Sequence, residues 1–576
     1  MKKTKKLLMF FMVGALGFST CTFSTPSVKA ATNTQVTIKS ISQKYTEAMN
    51  PGWNLGNTFD GFDTGGDKGE ESWGNPKVTR ELIDTIKSQG FKSIRMPFTS
   101  VMRTGSAPDY TLDPVFLARY KEVVQWALDE GLYVMINLHH DSWNWVPAIG
   151  ADWDNGSSMI KYKAIWTQLA DYFKDSSDKL CFESINEPQF WTGDTSNQIK
   201  ILEDVNTQFY NVVRNSGGKN ATRMLVLPTL NTNDSDDRCE SLYNTINGSN
   251  DPNIIATFHY YGFWPFSTNI AGTTTMNDQV VTELKTAFDR VYNHFTSKGI
   301  GVICGEYGLL GFDKSLGAIE HGEVLKYFEY INYYAKQKNI TMMLWDNGQH
   351  LGRTTLTWSD PSLYNIIKAS WTSRSSYSES DRIFLKNQDK DKDLPMKLSL
   401  NGNTLKSIYN EQKKLTLGID YTYDNDTVTL KRNYVRRLIT NEYGINATLT
   451  IKFSAGADWN VYLTHYKTPK LNPSTGTTNG LEIPVKFNGS RLSTLEAIYA
   501  DGTGAGPQNW TTYKEYDYAF SVNYDANKVV ITQKFFDEAK DGEIILKFHF
   551  QSGEVIEYRI LKSGTTVKSF DLVSAN

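Results

Sequence analysis

The sequence predicts an α/β protein, a (β/α)8 TIM barrel, followed by two small all-β sandwich domains. Between residue 50 and about residue 371, eight short apolar runs alternate with amphipathic helical segments. This alternation is typical of a closed parallel barrel. After residue 372 the helical periodicity mostly vanishes, and alternating apolar and polar runs predict β-strands.

The eight predicted strands are apolar on both faces, as strands covered by helices are. They are Trp53–Asn57, Ser93–Phe98, Tyr133–His139, Leu180–Asn186, Met224–Leu230, Ile254–Tyr261, Gly301–Tyr307 and Thr341–Asp346. Apolar residues at helical spacing predict six helices between them. These are Val78–Ser88, Leu117–Glu130, Ile165–Lys174, Ile199–Asn215, Val280–Ser297 and Val324–Lys338.

Composition divides the chain into four parts. Residues 1–30 have the lysine-rich start, the short apolar stretch and the small-residue cleavage site of a signal peptide. A membrane anchor is the alternative, but no second apolar segment follows. The barrel is predicted over residues 31–372, and the two β domains over residues 373–471 and 472–576. The Ser-rich segment Thr372–Ser380 is predicted to be a linker.

Charge and cysteine content argue against several classes of protein. Removal of residues 1–30 deletes five lysines and no acids, which leaves 55 basic and 63 acidic residues. That balance favours neither a nucleic acid nor an anionic membrane as partner. Three cysteines then remain without CxxC spacing, which predicts no disulfide framework and no metal site. Cys181 and Cys304 are predicted to be buried thiols. We expect a secreted monomer without a cofactor.

Most of the predicted strands end in a polar residue, as expected where a barrel builds its active site. Glu187 follows the fourth run within Asn186-Glu187-Pro188, and Glu306 lies at the end of the seventh. Strands four and seven face each other across an eight-stranded barrel. Glycoside hydrolysis needs one carboxyl group as acid and a second that attacks or activates water. The two glutamates are therefore predicted to be catalytic.

The two carboxyl groups need different protonation states at the same pH. Arg95 and Tyr261 are predicted to stabilise an ionised Glu306, which suits a nucleophile. Glu187 is then the acid and later the base, because the ionised partner repels a second charge. Asn186 is placed to bond the sugar 2-hydroxyl.

Six motifs in this order resemble glycoside hydrolase family 5, specifically its subfamily 4, over about residues 35–372. They are Ser93-Ile94-Arg95-Met96-Pro97, Asn137-Leu138-His139-His140, Asn186-Glu187-Pro188, His259-Tyr260-Tyr261, Gly305-Glu306-Tyr307-Gly308 and Trp345-Asp346. The resemblance implies that Glu187 is the acid/base, that Glu306 is the nucleophile and that configuration is retained. It also implies supporting roles for Arg95, His139, Asn186, His259, Tyr261 and Trp345.

Adjacent side chains on a strand point to opposite faces, which argues against zinc binding by His139 and His140. His140 is instead predicted to contact the substrate. Asn54 and Asn57, from the opening motif Gly52–Thr58, are also predicted substrate contacts.

Aromatic residues suggest the type of substrate. Twelve of the fourteen tryptophans precede residue 372, and several follow strand ends. The flat apolar faces of glucose units stack on such rings. The predicted sugar platforms are Trp143, Trp145, Trp153, Trp191 and Trp264, with core packing as the alternative for each.

The C-terminal part also resembles known modules. Leu398–Leu405, with Leu417–Thr422, is similar to the X2 immunoglobulin-like module, and the last ~105 residues resemble a family 46 carbohydrate-binding module. Trp510 is the predicted sugar contact of the last module, although a buried tryptophan is an equal alternative.

These patterns together predict a secreted retaining endo-β-1,4-glucanase acting on cellulose-like and mixed-linkage β-glucans. A xyloglucan-specific endo-β-1,4-glucanase is the main alternative, and a β-mannanase is less favoured. A non-catalytic polysaccharide-binding protein on a degraded barrel is the rival from another class. The presence of both Glu187 and Glu306 argues against it.

Overall fold

The computed structural model describes residues 39–151, 156–313 and 315–570, apart from the side chains of residues 312 and 313. The chain from Ser40 onward clusters as one compact unit. The predicted signal peptide and Trp153 lie outside the described residues, so both stay predictions. Within the described ranges, no helix is both long enough and apolar enough to cross a bilayer.

Eight parallel strands close into a barrel in sequence order, which confirms the predicted fold class. They are β1 Gly52–Asn54, β2 Ser93–Phe98, β3 Tyr133–Leu138, β4 Leu180–Glu183, β5 Leu225–Pro228, β6 Ile254–Tyr260, β7 Gly301–Tyr307 and β8 Ile340–Leu344. Six of them end one to three residues before the predicted ends. Most of the polar residues predicted at strand ends therefore lie in the first turn of the following loops.

Helices surround the barrel, and all six predicted helices are present. The helices are α1 Ile41–Met49, α2 Arg80–Gln89, α3 Pro114–Asp129, α4 Asp141–Asn144, α5 Ser157–Phe173, α6 Thr195–Asn215, α7 Asp236–Ser249, α8 Trp264–Ser267, α9 Asp278–His294, α10 His321–Gln337 and α11 Pro361–Ser370. Helix α7 was not predicted, because it buries only three side chains, those of Cys239, Leu242 and Ile246. Helix α1 begins with a capping box at Ser40 and packs against β7 and β8.

The end of the barrel at which the strands begin is closed by apolar side chains from α1 and the strands. This cluster includes Met49, Met135, Cys181, Ile303 and Met343. The cysteines among the described residues are free and buried, which confirms the prediction for Cys181 and Cys304. Catalytic side chains are therefore confined to the opposite end, where the strands terminate.

The segment predicted to be a linker is instead part of the packed structure. Ser375, Ser376 and Ser378 are fully buried. Arg374 donates two hydrogen bonds to Glu329 of α10, at 2.5 and 2.8 Å. The linker prediction for Thr372–Ser380 is wrong, because these small hydroxyl side chains fit between the barrel and the next module.

The middle module is a two-sheet β-sandwich. Its strands are β9 Tyr377–Ser378, β10 Arg382–Leu385, β11 Leu394–Ser399, β12 Leu405–Asn410, β13 Lys413–Lys414, β14 Tyr421–Asp424, β15 Thr427–Leu430, β16 Gly444–Phe453 and β17 Trp459–His465, with helix α12 Arg432–Leu438. The sheets have the orders β10-β17-β16-β12-β13 and β14-β15-β11-β9. Trp459 lies in the core and donates to Ser378 Oγ at 2.7 Å, so it is structural.

The last module is also all-β, but its hydrogen bonding runs through one ten-stranded sheet. Its elements are β18 Lys470–Leu471, β19 Thr475–Thr477, β20 Gly480–Lys486, β21 Leu492–Tyr499, β22 Tyr513–Lys514, β23 Phe520–Asn523, β24 Lys528–Thr532, helix α13 Gln533–Glu538, β25 Gly542–Phe550, β26 Val555–Ser563 and β27 Thr566–Ser569. Side chains from strands far apart in the sheet, such as Leu495, Val529 and Ile560, share one core. The sheet therefore curls around a single interior.

The last module contacts the barrel directly. Asn269 Nδ2 donates to the carbonyls of Ala318, at 2.7 Å, and of Ser493, at 2.8 Å. The Asn269 carbonyl accepts from the Tyr516 N–H at 3.3 Å. Ala318, a barrel residue, belongs to the hydrophobic core of the last module. These contacts place the last module beside the loops that follow β6 and β7.

Candidate active site

Glu306 lies near the end of β7 and is held from two sides. Arg95 Nη1 donates to Glu306 Oε1 at 2.6 Å, and Tyr261 Oη donates to Oε2 at 2.5 Å. The Glu306 side chain is only 5% exposed. The structure thus contains both hydrogen bonds that the sequence analysis expected, and such donors favour the ionised form of a carboxylate. The carboxylate is therefore desolvated and fixed in orientation, which suits the predicted role of a nucleophile.

A register shift in β7 sets the direction of the Glu306 side chain. The pairing of β7 shifts register against both β6 and β8 around Gly305 and Glu306. Such bulges redirect side chains next to active sites. A Cβ on Gly305 would lie 3.0 Å from both His259 Nε2 and Thr257 Oγ1, so only glycine fits without displacing them.

Glu187 lies beyond the end of β4, with a backbone φ of +35°. This conformation costs a residue other than glycine about 1–3 kcal/mol and commonly marks a functional position. Its Oε1 lies 2.9 Å from His259 Nδ1, and the side chain is 26% exposed. One carboxylate oxygen of Glu187 lies within 4.8 Å of one of Glu306. The structure thus brings both predicted carboxylates into one cleft.

Arg95 is fully buried and links several predicted residues. Its Nη2 donates to Asn186 Oδ1 at 2.8 Å, and its Nε donates to Glu183 Oε2 at 2.8 Å. Burial alone would lower the pKa of Arg95, but Glu183 and Glu306 together raise it above its ordinary value. The guanidinium therefore stays charged between two carboxylates.

Glu183 is a residue that sequence reasoning missed. It is fully buried at the end of β4, where it also accepts from Asn137 Nδ2 at 2.8 Å. The signal was an acidic residue inside the apolar run Leu180–Asn186, since carboxylates are rarely buried unless paired.

Asn54 is buried beneath the site, which contradicts its prediction as a substrate contact. Its Nδ2 donates to the Gly305 carbonyl at 2.9 Å, and its Oδ1 accepts from Arg95 at 3.2 Å. Asn54 therefore helps to hold the Arg95 guanidinium in place through this hydrogen bond. Asn57 lies in the loop after β1, half-buried and with a φ of +55°.

His139 and His140 both face the site, so the argument that they point to opposite faces is wrong. Strand β3 ends at Leu138, and His140 already has helical backbone angles. The two rings therefore lie 4.5 Å apart. His139 stacks on Trp345 with centroids 5.7 Å apart. Burial, aided by His140 and Arg95, lowers the pKa of His139 well below its ordinary value, so its imidazole stays neutral.

Two groups of described residues have the geometry to hold a metal ion: Asp60 with His139 and His140, and Glu187 with His259 and Glu306. The Asp60 carboxylate already accepts from the N–H groups of residues 57 and 58. Glu306 is likewise occupied by Arg95 and Tyr261. Carboxylate oxygens of both groups are thus engaged within the protein, and the expectation of no metal stays a prediction.

The amide of Asn186 has one free end. Its Oδ1 accepts from Arg95, whereas its buried Nδ2 has no hydrogen-bond partner in the part of the chain that the structure describes. A buried donor without a partner is costly unless a ligand satisfies it. The amide is therefore suited to bind a sugar hydroxyl.

Four of the tryptophans predicted to contact sugar have partly exposed side chains. Trp143, Trp191, Trp264 and Trp510 are between 43% and 63% exposed. Trp264 and Trp510 approach each other from the barrel and the last module, with ring centroids 5.8 Å apart. Trp510 is thus exposed rather than buried in its module.

Trp145 does not fit its predicted role as a platform. Its Nε1 donates to Asp141 Oδ1 at 2.7 Å, and Lys161 Nζ lies 4.5 Å from its ring centroid. It also packs against the core. Trp73, which sequence reasoning missed, is 41% exposed and lies 4.7 Å from the His140 ring. Trp73 lies in the long loop between β1 and α2, far along the chain from the end of β1, which explains the omission.

Family models match three successive regions of the chain. Residues 52–351 match cellulase (glycosyl hydrolase family 5). Residues 377–463 match carbohydrate binding domain X2, and residues 467–569 match the carbohydrate binding domain CBM46.

The chain is 50% identical to endoglucanase B of Paenibacillus lautus over 532 residues, which cover 92% of this chain and 93% of that protein. The solved tri-modular endo-β-1,4-glucanase B of Bacillus halodurans is similar at 48% identity, with a TM-score of 0.89, and the match covers 92% of this chain and 98% of that one. A tri-modular endo-β-1,4-glucanase of Bacillus licheniformis is 30% identical, with a TM-score of 0.78, over 90% of this chain and 99% of that one.

The closed barrel with two facing carboxylates at its carboxyl end defines a glycoside hydrolase. The chain belongs to glycosyl hydrolase family 5 and carries X2 and CBM46 modules after its catalytic barrel.

Proposed function

We propose that this enzyme is a secreted endo-β-1,4-glucanase that hydrolyses cellulose-like and mixed-linkage β-glucans with retention of configuration. The observation that carries the proposal is the carboxylate pair. Glu306 is held by hydrogen bonds from Arg95 and Tyr261, and a Glu187 oxygen lies within 4.8 Å of one of its oxygens. Carboxyl groups about 5 Å apart suit a retaining enzyme, whereas an inverting one leaves room for water between them.

In the first step, Glu306 attacks the anomeric carbon while Glu187 protonates the leaving oxygen. The Glu306 carboxylate forms a covalent glycosyl ester, and the glycosidic C–O bond breaks. In the second step, Glu187 removes a proton from water, which attacks the anomeric carbon and releases Glu306. His259, 2.9 Å from Glu187, orients the acid/base, and the free Nδ2 of Asn186 bonds the sugar 2-hydroxyl.

Substitution Glu306→Ala tests the nucleophile. We expect turnover to be abolished while cello-oligosaccharides still bind, because the change removes the attacking group and leaves the aromatic platforms intact. Glu283→Ala, at an exposed position on α9, is the matched control and should keep full activity. Substantial turnover by Glu306→Ala would contradict the assignment.

Proton NMR of the first product should show the β-anomer, and an α-anomer would mean inversion.

Xyloglucan is the second candidate substrate, since the exposed Trp191, Trp264 and Trp510 offer stacking surface beyond the reacting bond. Initial rates on carboxymethylcellulose, mixed-linkage glucan, xyloglucan and mannan, with product chromatography, distinguish the candidates. Exclusive action on xyloglucan would replace the main proposal, and action on mannan alone would refute both.

Secretion is supported by the lysine-rich, apolar start of the sequence, and N-terminal sequencing of the exported protein tests cleavage near residue 30.

A further inference from the structure

The contact between the barrel and the last module depends on a small group of polar residues. Asn269 is buried, has a φ of +51° and offers both its amide and its carbonyl to this contact. Glu320, which precedes α10, accepts from Ser493 Oγ at 3.2 Å. Hydrogen bonds therefore cross the contact from the loops after both β6 and β7.

Glu320 also lines a cavity of about 210 Å³ where all three modules meet. The barrel contributes residues 316, 317 and 319–321, the middle module contributes Asp381 and Arg382, and the last module contributes Arg491 and Gln551. Glu320 therefore lies where residues of all three modules come together.

Several charged or titratable groups face Glu320 from these elements. Glu323 of α10 is nearby but is paired with Lys326 at 2.7 Å. Asp381 repels the Glu320 carboxylate and Arg382 attracts it. His321 follows Glu320 in the chain. Tyr524 and Arg491 approach from the last module.

The balance of these groups disfavours the ionised form of Glu320. Burial, together with Glu323 and Asp381, raises the pKa of Glu320 to about 7, although Ser493 and Arg382 oppose the shift. The carboxyl group is therefore protonated in mildly acidic solution and ionised in alkaline solution while the modules remain in contact.

We infer that Asn269, Glu320 and Ser493 form a latch that holds the last module against the barrel, with Trp510 beside Trp264, and that loss of the Glu320 proton loosens it. The three are positioning residues for polymeric substrate, because they act through Trp510 and do not touch the reacting bond. The substrate part of this inference rests on the proposed glucanase function, whereas module docking does not.

The direction of the pH effect follows from the raised pKa. Contact favours protonated Glu320, so docking is strongest below about pH 4.5 and weakens as the pH rises through about 7. If separation restores the ordinary value of 4.5, the docking constant falls by at most about 300-fold over this range.

Distance measurement on the whole chain tests the proton dependence. Cysteines introduced at exposed Thr282 of α9 and Asp525 of the last module accept spin labels, while the described native thiols are buried. We expect the distance distribution to broaden between pH 5 and pH 9. Glu320→Gln should remain docked throughout, and the exposed-site control Glu557→Gln should behave as wild type. The same broadening in Glu320→Gln, or none in wild type, would overturn the proton link.

Two further variants test the latch itself. Asn269→Gly removes the amide donors but tolerates the left-handed backbone. Ser493→Ala removes the bond to Glu320 but keeps the carbonyl that Asn269 contacts. We expect both to broaden the distance at pH 5 and to lower kcat/KM on polymeric glucan several-fold, with little change on cellotetraose. Unchanged distances in both variants would overturn the latch. If the wild-type enzyme does not hydrolyse cellotetraose, the proposed function is refuted, whatever the distances show.

Discussion

At the scale of single residues, the central feature is that Arg95 is shared by two acids. Glu306 is the carboxylate that the sequence identifies, whereas Glu183 holds the other edge of the guanidinium. Arg95 thereby keeps one orientation and presents Nη1 to Glu306. The proposed nucleophile Glu306 therefore depends on an acid that is fully buried.

Substitution Glu183→Gln should lower kcat by about 10- to 100-fold, the equivalent of one charge-assisted hydrogen bond. The reason is that a neutral amide orients Arg95 less firmly, so the charge of Glu306 is stabilised less. We expect KM to change little, because Glu183 is buried away from the cleft. Steady-state kinetics on a soluble glucan, with a melting curve to verify folding, provide the measurement. An unchanged kcat would contradict the role.

Sequence reasoning identified the carboxylates that we propose carry the chemistry and several of their supporting residues, but not Glu183. Glu187, Glu306, Arg95 and Tyr261 stand at or near strand ends, where barrel topology alone brings them together. Asn54 was misassigned because sequence does not show which way a side chain points once its strand has ended. The side chains of His139 and His140 converge for a related reason, since β3 stops one residue before them.

At the scale of secondary-structure elements, the eight strands were predictable because all are apolar on both faces. Helix α7 was not, because few of its side chains are apolar. The segment after α11 was read as a linker from its serines. Its packing depends on Glu329, which lies more than forty residues earlier in the chain, and such distant pairs leave no local pattern.

Removal of Arg374 should destabilise the junction between barrel and middle module. Glu329 is fully buried, so Arg374→Ala leaves a carboxylate without its cation, at a cost of about 3 kcal/mol or more. Urea unfolding measures the loss. The exposed pair of Arg436 with Asp391 is the matched control, and Arg436→Ala should cost under about 1 kcal/mol. Equal effects from the two variants would refute the buried role.

At the scale of the whole molecule, His321 joins the barrel to the middle module. Its imidazole lies 2.8 Å from Asp360 of the barrel and 3.6 Å from Asp381 of the middle module. Burial opposes the shift, but these carboxylates raise the pKa of His321 to about 9. The protonated imidazole therefore contributes stability that is complete below about pH 6.5 and lost as the pH rises through about 9.

Substitution His321→Asn should lower the Tm by about 2 °C at pH 6, an effect kept small because solvent reaches part of the ring. The difference from wild type should disappear by about pH 10. Calorimetry across this range provides the measurement, and His294→Asn, on the barrel alone, is the control. A constant difference at every pH would exclude the proton-dependent contribution.

Removal of residues 473–576 should weaken activity on polymeric glucans more than on short oligosaccharides. The deletion takes away Trp510, which lies beside Trp264 at the edge of the cleft. Relative kcat/KM values on a polymer and on cellotetraose provide the comparison. Trp510→Ala should reproduce part of the loss without exposing the barrel. An equal loss on both substrates would indicate that the module serves folding instead.

The buried cysteines have a practical consequence. Burial raises the pKa of Cys181 and of Cys239 to about 12 and that of Cys304 well above its ordinary value, so none presents a reactive thiolate at neutral pH. The described part of the chain contains no cross-link that a reductant could break. We therefore expect the enzyme to tolerate dithiothreitol and to fold in a bacterial cytoplasm, without oxidative refolding or a disulfide isomerase.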